Sequence, residues 1–209
     1  MIVSVKNPEL LTITNNNDNT TYFGGDQEWY TKTWNKQAGC GPTSAANIAA
    51  YLAASDRGLK SLYPYTTMEK SDFAKHMETL FLYVTPGAMG VNHVDKFTAG
   101  FDKLLKERNI PLTAKVLVTD KVPKAERKFS ELAQFVKDGL SSDCPIAFLN
   151  LSKGEEKSIQ GWHWITITSA DITEDKVIAV ASDEGKAIEF DLSLWFLTTR
   201  RHGGLIYYS

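Results

Sequence analysis

Ala45, Ile48, Ala49 and Leu52 lie three or four residues apart. That spacing predicts a small-sided, buried helix. Pro42 fits its first turn, where a missing N–H costs nothing. Two further amphipathic helices are predicted at 68–82 and 91–106. In the second, Val94, Phe97, Phe101, Leu104 and Leu105 share a face. Residues 115–119 alternate weakly as a strand, and 129–140 return to helix with Leu132, Phe135 and Val136 on one side. The chain then turns to β. Short strands are predicted at 145–151, 162–169, 176–182, 186–191 and 205–208, separated by turn residues, with a brief helix at 192–198. Helices first and strands last predict an α+β fold. Residues 15–28 carry Asn15-Asn16-Asn17-Asp18-Asn19 and Gly24-Gly25-Asp26. They read as loop, so the expected organisation is one domain over 1–209 with a loop-rich lead-in at 1–30.

The chain has 209 residues, 43% apolar and 23% charged. That is enough for a full hydrophobic core and excludes disordered or fibrous classes. Its formal charge is −2, and Arg200-Arg201 is too short to form a basic patch. Neither nucleic acid nor a membrane is therefore an expected partner. The first residues lack a basic region followed by a long apolar stretch, and no run approaches membrane-spanning length. The expected location is cytoplasmic, although a secreted mature fragment with an added methionine would read the same. Only two cysteines occur, Cys40 and Cys144, which excludes a disulfide framework.

Candidate chemistry centres on Cys40 in Gln37-Ala38-Gly39-Cys40-Gly41-Pro42-Thr43-Ser44-Ala45-Ala46. A glycine-flanked cysteine at a helix start meets unpaired N–H groups and the positive end of the dipole, which favour the reactive thiolate. His163 opens the predicted strand Trp162-His163-Trp164-Ile165 and supplies a base. Such a pair needs a third group to orient the imidazole. A hairpin turning at Thr173 would set Asp183 across from His163, with the small Ala179 and Ala181 leaving room for the cysteine helix. A slip of one residue would put Ser182 there instead. Asn150 is a more distant candidate. Asn35 and Gln37 carry amides suited to an oxyanion hole. Trp162 and Trp164 read as a substrate wall or as core, and Gly87-Ala88-Met89-Gly90 as a mobile rim loop or, preferred, a plain helix connection. Cys144, before Pro145 and a strand, reads as a buried, inert thiol. His76, His93 and His202 lack metal-ligand spacing, so neither a metal nor a cofactor is expected.

Cys40-Gly41-Pro42-Thr43-Ser44-Ala45-Ala46 resembles the nucleophile motif of the papain-like cysteine peptidase superfamily, within it the small bacterial double-glycine-leader-peptidase-like branch. His163 with its aromatic and β-branched followers resembles the histidine strand. Ser182-Asp183-Glu184-Gly185 resembles the strand end that supplies Asp or Asn. The resemblance covers roughly residues 30–200 and implies a papain-like fold and cleavage of a peptide or protein substrate without a cofactor. Acyl transfer on the same groups, or peptide binding without catalysis, are the alternatives. The sequence departs from the family at Trp34, which occupies the usual place of the oxyanion glutamine. Counting back from the glycine of the papain-type Asn-Ser-Trp-Gly pattern lands on Ser182 rather than Asp183.

Overall fold

Small side chains let α2 (Cys40–Ser55) be buried from Gly41 to Ala53, and the rest of the chain is arranged around it. A computed structural model describes residues 1–121 and 123–209. α1 (Thr33–Ala38) leads almost directly into α2 through Gly39. α3 (Lys70–Tyr83) and α4 (Val94–Glu107) each bury a single apolar stripe, as their periodicity predicts. α5 (Phe129–Ser141) does the same with Leu132, Val136 and Leu140.

The second layer is an antiparallel sheet. Six of its seven strands are β4 (Ala114–Val118), β5 (Ile146–Asn150), β6 (His163–Ile172), β7 (Val177–Asp183), β8 (Lys186–Asp191) and β9 (Gly203–Tyr208). The order is β4-β9-β5-β6-β7-β8. β5 lies at the centre and is buried along its whole length, which explains why it reads as a continuous apolar run rather than an alternating one. α6 (Leu192–Thr198) is capped by Asp191, whose carboxylate accepts from Leu194 N at 2.8 Å.

The lead-in is more ordered than its composition predicts. β1 (Ile2–Ser4) pairs with β6, and β2 (Thr12–Asn15) and β3 (Thr20–Phe23) form a hairpin around the asparagine run. The asparagines supply the turn, and Asn19 takes the left-handed backbone at φ 58°. Strands this short carry too little periodicity to be legible.

The helix α2 also meets a different face of the sheet from the one expected. Ser44 Oγ lies 2.9 Å from Thr166 Oγ1, and Asn47 Nδ2 donates to Thr166 Oγ1 at 3.1 Å and to Ser182 Oγ at 3.3 Å. The helix therefore packs on the Thr166 and Ser182 side. The alanine side is filled instead by Phe148 and Phe190, stacked 5.5 Å apart, with Trp195 of α6 against Phe148 at 4.5 Å. Aromatic volume on α6 and β8 matches the space the alanines leave.

Candidate active site

Cys40 is the first residue of α2, half-buried, and no side chain caps that end of the helix. The leading N–H groups thus stay available to an anion. Gly39 is required just before it, since a Cβ there would run into the Asn35 carbonyl and the Tyr30 ring.

His163 begins β6, immediately after Trp162 in the left-handed conformation at φ 58°. Its Nε2 lies 2.6 Å from Asp183 Oδ1, and both side chains are nine-tenths buried. Burial alone would depress the imidazole. The hydrogen bonds and charges of Asp183 and Cys40 outweigh it and raise His163 to about 10. With Nε2 committed to Asp183, Nδ1 is the nitrogen left to serve Cys40.

Asp183 reaches His163 by a different register from the predicted one. The turn of the β6–β7 hairpin falls at Thr173–Lys176, and Ser169 pairs with Val180. A register shift between Ile167 and Ser169 then sets Thr166 against Ser182. One step further, Asp183 stands beside Ile165 and on the same face as His163, and the two meet diagonally. Ser182 is turned away: its Oγ donates to the Phe23 carbonyl at 2.6 Å. Asn150 does pair with His163 across β5 and β6. Its amide is spent on the Gln160 carbonyl and on Trp195 Nε1, at 2.7 and 3.1 Å.

Of the two amides singled out upstream, Gln37 lies in a hollow beside Cys40. Asn35 does not line either hollow at the cysteine. It is buried and its Nδ2 donates to Glu78 Oε2 at 3.0 Å. Gln27, which no sequence pattern marks, lines the other hollow with Cys40 and His163, and its Oε1 is buried without a hydrogen-bond partner. Only its residue type could have signalled it, because it lies in the aperiodic lead-in. Four ties hold that segment against the site: the bond from Ser182 Oγ to the Phe23 carbonyl, and those from Gly25 N to Asn47 Oδ1 at 2.8 Å, Phe23 N to the Gly185 carbonyl at 2.8 Å and Gly185 N to the Gly25 carbonyl at 3.2 Å.

The two hollows flank Cys40. The smaller, of about 10 Å³, has room for roughly one water and is lined by Gln27, Cys40, Thr43, His163, Asp183 and Glu184 among others. The larger, of about 350 Å³, is walled by Trp34, Met89, Val91, Leu149, Trp162 and Trp164. Trp162 is 44% exposed. Trp164 is buried, stacks on Phe97 at 4.7 Å and donates to the Val91 carbonyl at 2.6 Å. The segment 87–90 closes on itself through Gly87 and Gly90 and forms part of the rim of this hollow.

Cys144 is fully buried and its thiol is pushed up to about 12 by desolvation. His93, Asp120 and His202 come together in space despite their wide separation in sequence. Both imidazoles already accept from backbone N–H groups, His202 Nε2 from Val94 at 3.2 Å and His93 Nδ1 from Asp95 at 3.2 Å. These contacts cap the start of α4, and His202 Nδ1 lies 2.7 Å from Asp120 Oδ2. Among the described residues, no helix is long and apolar enough to cross a membrane.

No protein-family model and no curated protein matches the sequence. Among solved structures the fold is similar to that of UfSP from C. elegans, with 10% sequence identity and a TM-score of 0.53, covering 100% of this chain and 34% of that one. The chain thus spans about a third of that protein's length. The shared architecture is the papain-like cysteine protease fold, with helices packed on an antiparallel sheet.

Proposed function

We propose that the chain is a cysteine hydrolase acting on peptide or amide bonds, with Cys40 as nucleophile, His163 as base and then acid, and Asp183 holding the imidazole. One observation carries the reading. The residue at the start of α2 that shares a hollow with His163 is a cysteine, and the far nitrogen of that histidine is bonded to a buried carboxylate at 2.6 Å. The thiolate attacks the carbonyl carbon. The oxyanion is held by the Cys40 N–H with the side-chain amide of Gln27 or Gln37. His163 gives its proton to the leaving amine, whose departure leaves a thioester on Cys40. Water, deprotonated by His163, attacks that thioester, releases the acid and restores the thiol.

Acyl transfer to an amine or thiol uses the same groups. The one-water hollow beside Cys40 and His163 favours hydrolysis. A peptide or protein is the fitting substrate, because the larger hollow at Cys40 is an apolar, aromatic-walled cleft suited to a side chain. Within the papain-like fold, the Cys40-Gly41-Pro42 motif favours the double-glycine-leader-peptidase-like branch. A non-catalytic peptide binder would have no use for the buried Asp183–His163 bond.

Incubation with a mixed library of acetylated and free peptides, read by mass spectrometry, tests the assignment. Cleavage by the wild type, lost in Cys40→Ala and His163→Ala while both variants stay folded, is the expected result. Equal cleavage by Cys40→Ala overturns it.

A further inference from the structure

Glu184 plays no part in the steps above, yet its carboxylate lies within 4.8 Å of both a ring nitrogen of His163 and a carboxylate oxygen of Asp183. It is the first residue of the two-residue turn that joins β7 to β8, with Asp183 and Lys186 paired on either side. Its backbone sits at φ 46°, a left-handed position that Asn, Asp or Gly fills more easily. Asp183 spends its charge on His163. Among the described residues no lysine or arginine forms an ion pair with Glu184, and the neighbouring His163 ring is already paired with Asp183.

The two flanks of Cys40 differ in charge. The smaller hollow holds Glu184, Asp183 and the buried, unpartnered acceptor Gln27 Oε1. No charged residue lines the larger one, and the guanidinium of Arg201 lies 5.7 Å over the Trp162 ring on that side. The smaller hollow holds no more than about one water, but Glu184 is exposed at its edge, so a substrate cation can meet that carboxylate at the surface beside Cys40 and His163.

We infer that Glu184 is a specificity-determining residue, holding a cationic group of the substrate, a lysine or arginine side chain or a free amine, on the flank of Cys40 opposite the tryptophan cleft. This rests on the hydrolase reading. The pairing also orients the substrate, with its apolar side chain among the tryptophans and its cation at Glu184. Anionic groups are repelled from that flank.

Charged thiol reagents test this without a known substrate. Full-length protein is treated with 2-aminoethyl methanethiosulfonate, which is cationic, and 2-sulfonatoethyl methanethiosulfonate, which is anionic, and modification of Cys40 is followed by mass spectrometry. Cys144 is buried and does not interfere. In the wild type the ratio of cationic to anionic rates exceeds that of glutathione in the same buffer. Glu184→Gln lowers the ratio about three- to tenfold, Glu184→Lys lowers it further, and molar salt shrinks the difference. A ratio that is the same in all three proteins overturns the inference. The hydrolase reading fails separately, if Cys40 titrates as an ordinary thiol and is indifferent to His163→Ala. On cleaved peptides, Glu184→Gln raises KM for Lys- or Arg-bearing sequences about tenfold more than for their Gln counterparts. Loss of this selectivity on N-acetylation assigns the cation to a terminal amine, and persistence assigns it to a side chain. Equal KM changes for the basic and Gln peptides also overturn it.

Discussion

Asp183 Oδ1 lies 2.6 Å from His163 Nε2 although the two residues are not partners across the β6–β7 ladder. The contact is diagonal. It fixes which ring nitrogen is engaged and, with Cys40, holds the imidazole protonated well above its ordinary range.

Asp183→Ala removes both effects. The expected loss in kcat is roughly a hundred- to ten-thousandfold, because the imidazole loses its tautomer control and the carboxylate that stabilises its charge. His163, raised to about 10 in the wild type, falls toward its ordinary value or below it as burial prevails. Titration of the ring by NMR in Asp183→Ala checks the second point independently of any substrate.

The two cysteines should separate cleanly. Iodoacetamide modifies Cys40 in the native protein, and His163→Ala slows that reaction. Cys144, with its thiol pushed up to about 12, reacts only after unfolding. Peptide mass spectrometry across a pH series reads both. Native-state labelling of Cys144 at neutral pH contradicts the packing described above.

Two histidines give stability opposite pH dependences. His76 is buried against Tyr63 and Phe73. Desolvation, partly offset by a hydrogen bond that the ring donates to the Ala46 backbone, lowers it from 6.5 to about 3. The unfolded chain therefore binds a proton that the folded one refuses, and stability falls as pH drops from 6.5 toward 3, with a limiting slope of about 1.4 kcal/mol per pH unit. His163 is shifted upward, so its contribution is complete below 6.5 and is lost as pH rises toward about 10. Urea unfolding midpoints across that range should fall at both ends, and His76→Phe should flatten the acid limb.

Asn47 ties together the pieces that carry the site. Its amide bonds Thr166 and Ser182 on the strands of His163 and Asp183, and accepts from Gly25 two residues before Gln27. Asn47→Leu leaves those buried partners unsatisfied, at a cost of about 1–3 kcal/mol per orphaned group. Equilibrium unfolding measures the loss, and Asn47→Asp, which keeps an acceptor for Gly25, should retain more stability than Asn47→Leu.

Local pattern determined most of the elements and one half of the candidate chemistry. The alanine spacing of α2, the apolar stripes of α4 and α5 and the strands after 144 are each periodic over enough residues to be legible, and Cys40 is marked by its glycines and helix start. What only the tertiary structure decided is how these pieces register. Continued unbroken, the outer β6–β7 pairing would set Asp183 against Thr166, facing α2. The shift between Ile167 and Ser169 turns it to the side of His163 instead. A one-residue irregularity of this kind leaves no trace in period-two alternation, because the residues on both sides of β6 are buried. The same holds for Gln27, whose place beside Cys40 depends on Gly25 bonding Asn47 and Gly185 bonding Gly25. Those are contacts between segments far apart in the chain, and no local propensity encodes them.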